Sequence, residues 1–545
     1  MRALLRSCWR TTTTTTCRRG YFVVVHVLPR TRQHCIRLPP PRLWFSTTTT
    51  TTTTNTDHNS TIINLNPSTG EEILPRIPCT TPVEIDHAVD RAVAASQEWR
   101  STPLEDRIAM VRQQACCCCT AQQQRETIID SMRQEMGKPR HEAEMELDAV
   151  AVRSHDDEYW ELLYQVLRPS QRGPHCTVVV REPMGVVAIC SPWNFPCDEL
   201  LLWTVPALVS GNTVIVKPSE YTPRTGQRTV EALQLNSSSS SSSSSSGILQ
   251  VVQGPGHTVG AQLVQHPAVD LVCMTGSTET GQWIRQQAAA AKSNNKRVLL
   301  EMGGKDAMLV FADSTTNDND NNLFDTAAKE AVQYSLANAG QVCCAVERIL
   351  VEQSIYDMFV DRVVQHARAY HDTTPMGPLI SAHQVQKVQA QVDDAIAKGA
   401  RMVYRGSSNR TSTSTTGGGF YFPITVLADV TPDMAIYRQE TFGPVICLCT
   451  PFSDAATAVH MANDSDYGLM ASVYTNNTAT AQWVSEQLRV GQVGINGSAV
   501  FDKYWNVACP WVGHRQSGYG GSHSGREGFQ SFSLPKTIVT VPSKE

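Results

Sequence analysis

Short apolar runs alternate with longer amphipathic stretches through the middle of the chain, and this pattern predicts a parallel sheet. Parallel strands need crossover segments of about a dozen residues or more, and the intervening stretches are long enough to form helices. The pattern therefore predicts an α/β fold whose sheet has helices on both faces. The five runs that predict its strands are Gly185–Cys190, Thr213–Val216, Ile248–Val252, Asp270–Met274 and Arg297–Leu300.

Four low-complexity tracts interrupt this pattern. Each lies between a helical and a strand pattern or beside a turn signal, where an insertion costs little because loop entropy grows slowly with length. We predict that they are surface loop expansions, and that the fold survives them. The tracts are Thr47–Thr54, Ser237–Ser246, Asn317–Asn322 and Ser407–Gly419.

Length and composition narrow the class of protein. A chain of 545 residues exceeds the size of a single growing core, so we expect two or three domains. Apolar residues make up 41% of the chain, and no apolar run approaches the roughly 20 residues that cross a bilayer. The formal charge of -5 gives no basic field for nucleic acid. The composition predicts a globular protein with neither membrane nor nucleic-acid partner.

The 17 cysteines have no repeated pair spacing of the zinc type, so we expect reduced thiols. The run Cys116–Cys119 is adjacent rather than spaced. Four neighbours on one helical turn point in different directions and do not converge on a tetrahedral metal. We therefore predict no metal site.

The amino-terminal segment Met1–Thr56 differs from the rest of the chain, since it has nine arginines, many threonines and no acidic residue. This composition is typical of a transit peptide and predicts a mitochondrial location, with the matrix as the expected compartment and another organelle as the alternative. A disordered tail with a chance arginine bias is the other interpretation.

Residues that follow the predicted strands carry candidate chemistry, because ligands bind at the carboxyl ends of parallel strands. The first strand is followed by Trp193 and Asn194, and an asparagine amide can stabilise an oxyanion. After the second strand come Lys217 and Glu220, a cation and a carboxylate suited to ribose hydroxyls or phosphate. These residues predict a ligand site at this edge of the sheet.

The later strands add a turn and a carboxylate. Thr275, Gly276 and Ser277 open a helical pattern, where backbone N–H groups and the helix dipole can meet a pyrophosphate. Glu301 ends the fifth strand, and Gly303-Gly304 after it allows another group to approach closely.

Cys343 follows Gly340-Gln341-Val342, in a stretch whose pattern is helical on both sides. A thiol near a helix start can have a lowered pKa. A buried structural cysteine is the alternative interpretation for any single cysteine here.

Taken in order, these motifs resemble the aldehyde dehydrogenase superfamily over about Ile62 to Val541. The resemblance implies a Rossmann-like nucleotide-binding domain (57–164 and 184–302), an α/β catalytic domain (303–528) and a small bridging β hairpin (165–183 and 529–545). In the family this hairpin pairs subunits, so a homodimer or homotetramer is expected; Cys176–Val180 and Thr537–Val541 have strand patterns that suit it. Further matching motifs are Asn66–Gly70, Glu135–Pro139, Glu440–Pro444 and Tyr467–Leu469.

The resemblance also implies roles for individual residues. Cys343 would be the nucleophile that forms a thiohemiacetal and then a thioester, Asn194 would hold the oxyanion, and Glu301 would activate the hydrolytic water. NAD, with NADP as the alternative, would be the cofactor and an aldehyde the substrate. The implied cofactor contacts are Trp193, Lys217, Glu220, Thr275, Gly276, Ser277, Glu440 and Phe442.

Two rival functions are compatible with parts of this pattern. Coenzyme A-acylating relatives lack a glutamate at the place of Glu301, and a catalytically silent relative would lose the thiol, the amide or the base. Val512 and Arg515 depart from the glycine and lysine that are usual in the family. The segment Cys197–Trp203 would line the aldehyde tunnel, and its lack of arginine and lysine disfavours a dicarboxylate semialdehyde.

Overall fold

In the computed structural model, the described residues are 61–171, 177–233, 235, 247–290, 296–315, 322–407, 418–499 and 509–540. The predicted transit peptide, the threonine and serine tracts, and most of the other two tracts lie outside them. Within the described ranges, no helix combines the length and apolar character that a membrane crossing requires.

The strands of the described residues are short and, in most cases, buried. In chain order they are β1 (Thr61–Ile62), β2 (Ile77–Pro78), β3 (Ser170–Gln171), β4 (Thr177–Pro183), β5 (Val186–Cys190), β6 (Thr213–Lys217), β7 (Leu249–Val251), β8 (Leu271–Thr275), β9 (Arg297–Glu301), β10 (Asp306–Val310), β11 (Val346–Val351), β12 (Arg401–Arg405), β13 (Thr425–Val430), β14 (Val445–Cys449), β15 (Met470–Tyr474), β16 (Gln492–Ile495), β17 (Gly518–Tyr519) and β18 (Ser533–Val539).

The α-helices connect and cover these strands. They are α1 (Pro82–Ser101), α2 (Leu104–Thr120), α3 (Gln122–Met136), α4 (Arg140–His155), α5 (Asp157–Leu167), α6 (Asp198–Val209), α7 (Pro223–Ala232), α8 (Ala261–Gln265), α9 (Thr278–Ala290), α10 (Leu323–Leu336), α11 (Tyr356–Thr373), α12 (Ala382–Ala397), α13 (Ala435–Arg438), α14 (Ala455–Asn463), α15 (Thr478–Gln487) and α16 (Gly525–Gln530).

A six-stranded sheet in the order β17-β9-β8-β5-β6-β7 contains the five predicted strands, and β5 to β9 are parallel. Side chains of β5 alternate between two cores, with Val187 and Ile189 in one and Ala188 in the other. Both faces are therefore apolar, which is why these runs lack a polar alternation. The α/β fold predicted from the pattern is confirmed.

A second sheet of seven strands, in the order β12-β13-β14-β11-β10-β15-β16, is parallel except at the edge strand β12. Two further buried clusters pack on its faces, around Leu309 and Leu350 on one side and Met308 and Ile349 on the other. The carboxyl ends of β8 and β9 and the turn before β11 position the residues of the candidate site.

A third, three-stranded sheet has the order β18-β4-β3, and β18 pairs with β4 antiparallel from Ser533↔Pro183 to Val539↔Thr177. The strands predicted near Cys176–Val180 and Thr537–Val541 therefore exist, with Cys176 and Val541 outside the described residues. The short strand β17 lies within 303–528, the range predicted for the catalytic domain, yet it pairs with β9 of the first sheet. The domain boundaries stay a prediction.

Candidate active site

A cleft of about 750 Å³ lies at the carboxyl ends of the strands of the six-stranded sheet. All the predicted site residues line this cleft except Glu301, which is buried. The residues in its lining are Trp193, Asn194, Lys217, Glu220, Thr275, Gly276, Ser277, Cys343, Glu440 and Phe442. The sequence therefore predicted which side chains come together here, although their roles depend on chemistry that the geometry alone does not test.

Asn194 lies in the loop between β5 and α6 and is 5% exposed. Its side-chain amide donates to the Gln341 carbonyl at 3.1 Å, and its own carbonyl accepts from Lys138 Nζ at 3.0 Å. An amide nitrogen carries two hydrogens, so one remains for a ligand oxygen. The loop containing Asn194 is thus joined to the turn that carries Cys343.

A buried ion pair holds the backbone of the loop that contains Asn194. Lys138 Nζ lies 2.7 Å from Glu146 Oε2, and Glu146 Oε1 accepts from the backbone N–H groups of Cys197 and Asp198 at 2.9 and 3.1 Å. Lys138 also lies 4.4 Å above the Phe195 ring. The sequence assigned no role to this lysine, although its place in the Glu135–Pro139 motif was a usable signal.

Cys343 lies in a turn that precedes β11, so the expectation of helix on both sides is wrong on its carboxyl side. The helix α10 ends before a 3-10 turn at Ala337–Gly340, where Gly340 has a φ of +73°. The run Val346–Val351 then enters the buried sheet, because β-branched and branched-chain residues fill such a strand well.

The expected low pKa of the Cys343 thiol is also wrong for this arrangement. Hydrogen bonding with Cys344 and burial, followed by the charges of Cys344, Glu301 and Glu199, raise the pKa of Cys343 well above its usual range. The turn lacks the helix N-terminus that would have lowered the pKa.

The paired glycines after β9 let two groups approach closely. A Cβ on Gly304 would lie 2.3 Å from the Cys343 carbonyl oxygen, and one on Gly303 would lie 2.5 Å from Glu440 Oε1. The Gly304 N–H donates to Glu440 Oε1 at 3.0 Å. These glycines bring the thiol loop and the Glu440 carboxylate against the end of the strand that carries Glu301.

Glu301 is 4% exposed and is held by two donors from the carboxy-terminal part of the chain. The Trp511 indole N–H donates to Oε1, and the His523 Nε2 lies 2.9 Å from Oε2. Glu199 and Trp203 of α6 lie next to them. We call these five residues the Glu301 pocket. Sequence reasoning missed Trp511 and His523, and no local signal points to a contact across more than 200 positions.

Glu199 is a second carboxyl group in the Glu301 pocket. Burial, followed by the charge of Glu301, raises the pKa of Glu199 well above its usual range. Glu199 accepts a hydrogen bond from Thr275 Oγ1 at 3.0 Å, and Thr275 Oγ1 accepts one from the Trp203 indole at 2.9 Å. A chain of hydrogen bonds therefore fixes Glu199 against the end of β8.

Among the described residues, one group of three metal-ligating side chains lies together, namely Glu199, Glu301 and His523, with ligand atoms within 4.8 Å of one another. The contact between Glu301 and His523 is a hydrogen bond, which accounts for this proximity. The run Cys116–Cys119 lies on α2, where Cys116 and Cys119 donate to different backbone carbonyls rather than converging.

Lys217 and Glu220 form an ion pair at the far end of the cleft, with Nζ and Oε2 2.9 Å apart. Glu220 Oε1 also accepts from the Gly256 N–H at 3.3 Å. Burial would raise the pKa of Glu220, but the Lys217 charge and these hydrogen bonds lower it. The pair presents an ionised carboxylate and an ammonium side by side.

The turn after β8 leads into helix α9, whose first residues line the cleft. Ser277 caps α9, since its Oγ accepts from the Thr280 N–H at 3.2 Å. The Gly276 N–H donates to the Glu301 carbonyl at 3.0 Å, so the end of β8 is tied to β9. Positive partial charge at the start of this helix faces the cleft lining.

Glu440 and Phe442 close the other end of the cleft. Burial, with a further contribution from the Glu347 charge, raises the pKa of Glu440 to about 8. The backbone N–H groups of Thr441 and Phe442 donate to Glu347, which pairs with Lys305 at 2.5 Å. The buried pair within the seven-stranded sheet thus fixes this loop.

Aromatic packing and two polar side chains complete this end. The Phe442 and Trp193 rings lie edge to face with centroids 5.5 Å apart. Gln384 donates to the Thr441 and Phe442 carbonyls at 2.9 Å, and both Gln384 and Lys387 line the cleft. Sequence reasoning missed these two residues, which lie on α12 outside any of the motifs.

Comparisons with known proteins agree with this geometry. The family model of the aldehyde dehydrogenase family matches residues 53–538. The chain is 33% identical over 487 residues to lactaldehyde dehydrogenase of Escherichia coli, covering 88% of this chain and 95% of the relative. It is 33% identical over 483 residues to a putative NADP(+) succinate-semialdehyde dehydrogenase of Mycobacterium tuberculosis, covering 86% of each chain.

Solved structures resemble the fold at similar identity. The crystal structure of lactaldehyde dehydrogenase from Escherichia coli aligns with a TM-score of 0.75 and 30% identity, covering 89% of this chain and 96% of that one. An indole-3-acetaldehyde dehydrogenase in complex with NAD+ aligns with a TM-score of 0.75 and 31% identity, covering 88% and 93%.

The predicted mitochondrial location is wrong on these findings. The relatives named above, and a 3-succinoylsemialdehyde-pyridine dehydrogenase of a Pseudomonas species, are bacterial enzymes. An arginine-rich segment without acidic residues is positively charged. Low-complexity tails share this composition, so it does not specify a compartment. The transit peptide itself falls on residues outside the described ones.

All residues of the described site lie within the range that the family model matches. These relatives show that the chain is an oxidoreductase that acts on aldehydes with NAD or NADP. This chain belongs to the aldehyde dehydrogenase family.

Proposed function

We propose that this chain oxidises an aldehyde to a carboxylate through a thioester on Cys343, and that water activated by Glu301 releases the acyl group. The observation that carries this proposal is the joint placement of three groups. Cys343 and the Asn194 amide line one cleft, and Glu301 ends the strand after which Gly304 packs against the Cys343 carbonyl. A nucleophile, an oxyanion donor and a base are what acyl transfer to water requires.

The cleft fits a dinucleotide in the chemistry of its donors and acceptors. Glu220 and Lys217 would hold the hydroxyls of the adenosine ribose, and Ser277 at the start of α9, with Thr275 and Gly276, would hold the pyrophosphate. Glu440, Phe442 and Trp193 would hold the nicotinamide ribose end. When bound, NAD supplies the hydride acceptor for the oxidation.

The chain's own residues carry out the addition. Cys343 Sγ loses its proton to bulk water and attacks the carbonyl carbon, and the π electrons of the C=O bond move to oxygen. The second Asn194 amide hydrogen and the Cys343 backbone N–H hold that oxyanion. Loss of hydride from the carbon restores the C=O bond and leaves a thioester.

Deacylation then needs a base, because the thiolate has been consumed. Glu301 takes a proton from water, and the water oxygen bonds to the thioester carbon. The C–S bond breaks, the electron pair returns to Cys343 Sγ, and the carboxylate leaves. A carboxylate at the end of β9 suits this step, since among the described residues Glu301 pairs with no lysine or arginine and accepts hydrogen bonds from Trp511 and His523.

The Glu220 carboxylate favours NAD over NADP. It accepts hydrogen bonds from ribose hydroxyls but would repel a 2′-phosphate, and the lowered pKa keeps it ionised. The relative from Mycobacterium is described as an NADP(+) enzyme, so the two cofactors have to be compared directly.

The aldehyde that this site favours carries no carboxylate. The segment Cys197–Trp203, which the family resemblance places at the aldehyde tunnel, has no arginine or lysine that could pair with a substrate carboxylate. A carboxylate on the substrate would therefore lose hydration without a cationic partner from this segment. We expect a neutral aldehyde to give a higher kcat/KM than succinate semialdehyde.

Assembly as a homodimer or homotetramer is part of this proposal. The three-stranded sheet ends at β18, whose Leu534, Ile538 and Val539 are 46%, 46% and 59% exposed. Apolar side chains on an edge strand are a liability unless another surface covers them. Sedimentation of the purified chain would measure the assembly, and a stable monomer at micromolar concentration would contradict it.

Oxidation of an aldehyde in 18O-labelled water tests the hydrolytic route. One labelled oxygen should appear in the carboxylate product, and added coenzyme A should change neither rate nor product. Formation of an acyl thioester of coenzyme A, with turnover that depends on it, would favour the acylating alternative and overturn the role given to Glu301.

A further inference from the structure

The two oxygens of Glu301 are bound by two ring nitrogens that the reaction scheme does not use. Trp511 Nε1 donates to Oε1, and His523 Nε2 lies 2.9 Å from Oε2. Trp511 is 6% exposed, His523 3% and Glu301 4%. All three side chains are buried, so each contact fixes the carboxylate more strongly than it would at the surface.

The backbone explains why these two rings reach Glu301. Strand β17 pairs with β9 through Gly518↔Glu301, and the Met302 N–H donates to the Ser517 carbonyl at 2.9 Å. The chain then turns at Gly520, with a φ of +89°, where a side chain would lie 2.0 Å from the Val298 carbonyl oxygen. This tight passage carries the following residues over the carboxylate.

The loops that carry the two rings are tied to each other. The backbone N–H of Trp511 donates to the hydroxyls of Ser522 and Ser524 at 3.0 Å each. Ser524 Oγ in turn donates to the Cys509 carbonyl at 3.1 Å. His523 lies between these two serines. The positions of the two rings are therefore coupled. We call the two ring donors, Trp511 Nε1 and His523 Nε2, the clamp on Glu301.

Packing also fixes the orientation of the His523 ring. Trp203 lies edge to face with it, with centroids 5.0 Å apart and an interplanar angle of 77°. The other ring nitrogen, Nδ1, is buried and has no hydrogen-bond partner among the described residues. Because an ionised carboxylate only accepts, Nε2 carries the proton in the contact with Glu301. The ring thus has a single polar partner, and this partner is the base.

We infer that His523, together with Trp511, is a positioning residue that holds the Glu301 carboxylate for deacylation. The inference rests on the proposed function, in which Glu301 activates water. Glu199 carries a second carboxyl group beside Glu301, and the charge of Glu301 is one cause of its raised pKa, so the two donors favour the ionised form of Glu301 over that of Glu199. Hydride loss does not need a positioned base for water, so that step does not depend on this clamp.

Substitution of His523 separates these steps. His523→Leu removes the N–H donor at similar volume, whereas His523→Gln keeps a donor near the position of Nε2. We expect His523→Leu to release one equivalent of NADH per active site at the normal rate and then turn over about 10- to 100-fold more slowly. His523→Gln should recover most of the loss.

A matched control uses another histidine–carboxylate contact, one that lies away from the cleft. His266 Nε2 lies 3.5 Å from Asp86 Oδ1 and does not line the site. His266→Leu should leave both the first turnover and kcat unchanged. Unchanged kcat in His523→Leu, or a first turnover slowed as much as kcat, would overturn the inference.

A double substitution tests whether His523 acts through Glu301. In a Glu301→Gln background, His523→Leu should cause no further loss of deacylation. Equal losses in both backgrounds would overturn the positioning role. Normal turnover of Glu301→Gln alone would instead overturn the base assignment of the proposed function, so the two failures are distinguishable.

A second variant keeps the inference testable if His523→Leu does not fold. Trp511→Phe removes the indole N–H and keeps an aromatic ring in the same packing. The full chain should show the same pattern, with a normal first turnover and slower deacylation. A normal kcat in Trp511→Phe, with an unchanged unfolding midpoint, would overturn the clamp.

Discussion

The open cleft and the Glu301 pocket behind it are built in different ways. Side chains of the cleft, such as Lys217 and Ser277, lie at or just after the ends of strands of one parallel sheet. Adjacent strand ends therefore bring these side chains together. The Glu301 pocket is completed by Trp511 and His523, which lie more than 200 positions further along the chain. The cleft faces ligands, whereas the pocket is closed and its polar groups bind one another.

This difference separates two kinds of dependence. In the proposed function a residue of the cleft contacts cofactor or substrate directly, so its loss should affect binding or addition to the aldehyde. Residues of the Glu301 pocket contact other side chains, so their loss should affect only the step that uses Glu301. The predictions below test that division, beginning with the residue that the account makes indispensable.

Cys343→Ala should lower turnover by about 10⁴-fold or more, because no other group in the cleft forms the thioester. Cys344→Ala should keep most of the activity, since Cys344 is 3% exposed and packs beside the turn. Steady-state rates with one aldehyde measure both. An exchange of the two results would place the nucleophile one residue later.

Asn194→Ala should lower kcat by about 10²- to 10³-fold, because it removes one donor to the developing oxyanion. Lys138 and Asn338 bond to the Asn194 carbonyl, and an alanine backbone retains those contacts. The rate of the first turnover should fall with kcat. A change in KM alone would assign the amide to aldehyde binding rather than to the oxyanion.

Glu220→Ala should raise the ratio of kcat/KM for NADP to that for NAD by about 10-fold, since a charge that repels a 2′-phosphate is removed while Lys217 remains. Glu231→Ala on the exposed face of α7 is the control and should leave the ratio unchanged. A wild-type preference for NADP would contradict the inference from Glu220.

Cys344→Ala should lower the pKa of Cys343, because hydrogen bonding with Cys344 is the largest cause that raises it. The thiolate fraction at pH 7 to 8 then rises, and alkylation of Cys343 by iodoacetamide becomes faster. Mass spectrometry of the labelled peptides measures the rate, with the exposed Cys117 as an internal reference. A slower reaction would contradict the assigned cause.

Glu440→Gln should flatten part of the pH dependence of stability. Burial raises the pKa of Glu440 from 4.5 to about 8, so its protonated form is favoured in the fold. Its contribution is complete below about pH 4.5 and is lost as the pH rises to about 8. Urea unfolding without cofactor measures this, and the exposed Glu98→Gln should behave like wild type. A wild-type dependence in Glu440→Gln would contradict the assignment.

Local patterns in the chain predicted the cleft because its sheet is apolar on both faces. Such strands stand out as uninterrupted runs, and the ends of β5, β6, β8 and β9 then give the ligand-facing residues by position. The ordered motifs predicted the fold and the family in the same way.

The surroundings of Cys343 could not be predicted from local pattern. Strand β11 contains Glu347 and Arg348, which are buried because they bind Lys305, Thr441 and the carbonyls near Met461 and Ala462. Polar residues at these positions obscure a strand pattern, and a helix was predicted instead. The partners that justify these charges come from loops far away in the sequence.

The partners of Glu301 were missed for a related reason. Trp511 and His523 reach it only because β17 pairs with β9 and the chain turns at Gly520. Nothing in the residues around Ser522–Ser524 specifies that pairing locally. Contacts that close a pocket between distant segments require the tertiary fold.

Rapid mixing of the Glu301→Gln variant with aldehyde and NAD+ tests the central claim most directly. The account predicts a burst of one NADH per active site at the wild-type rate, slow turnover afterwards, and an acyl group on Cys343 that mass spectrometry detects. The wild-type enzyme is the control and should not accumulate this acyl-enzyme to the same extent. Absence of both burst and acyl-enzyme, or normal turnover, would contradict the role of Glu301 in deacylation.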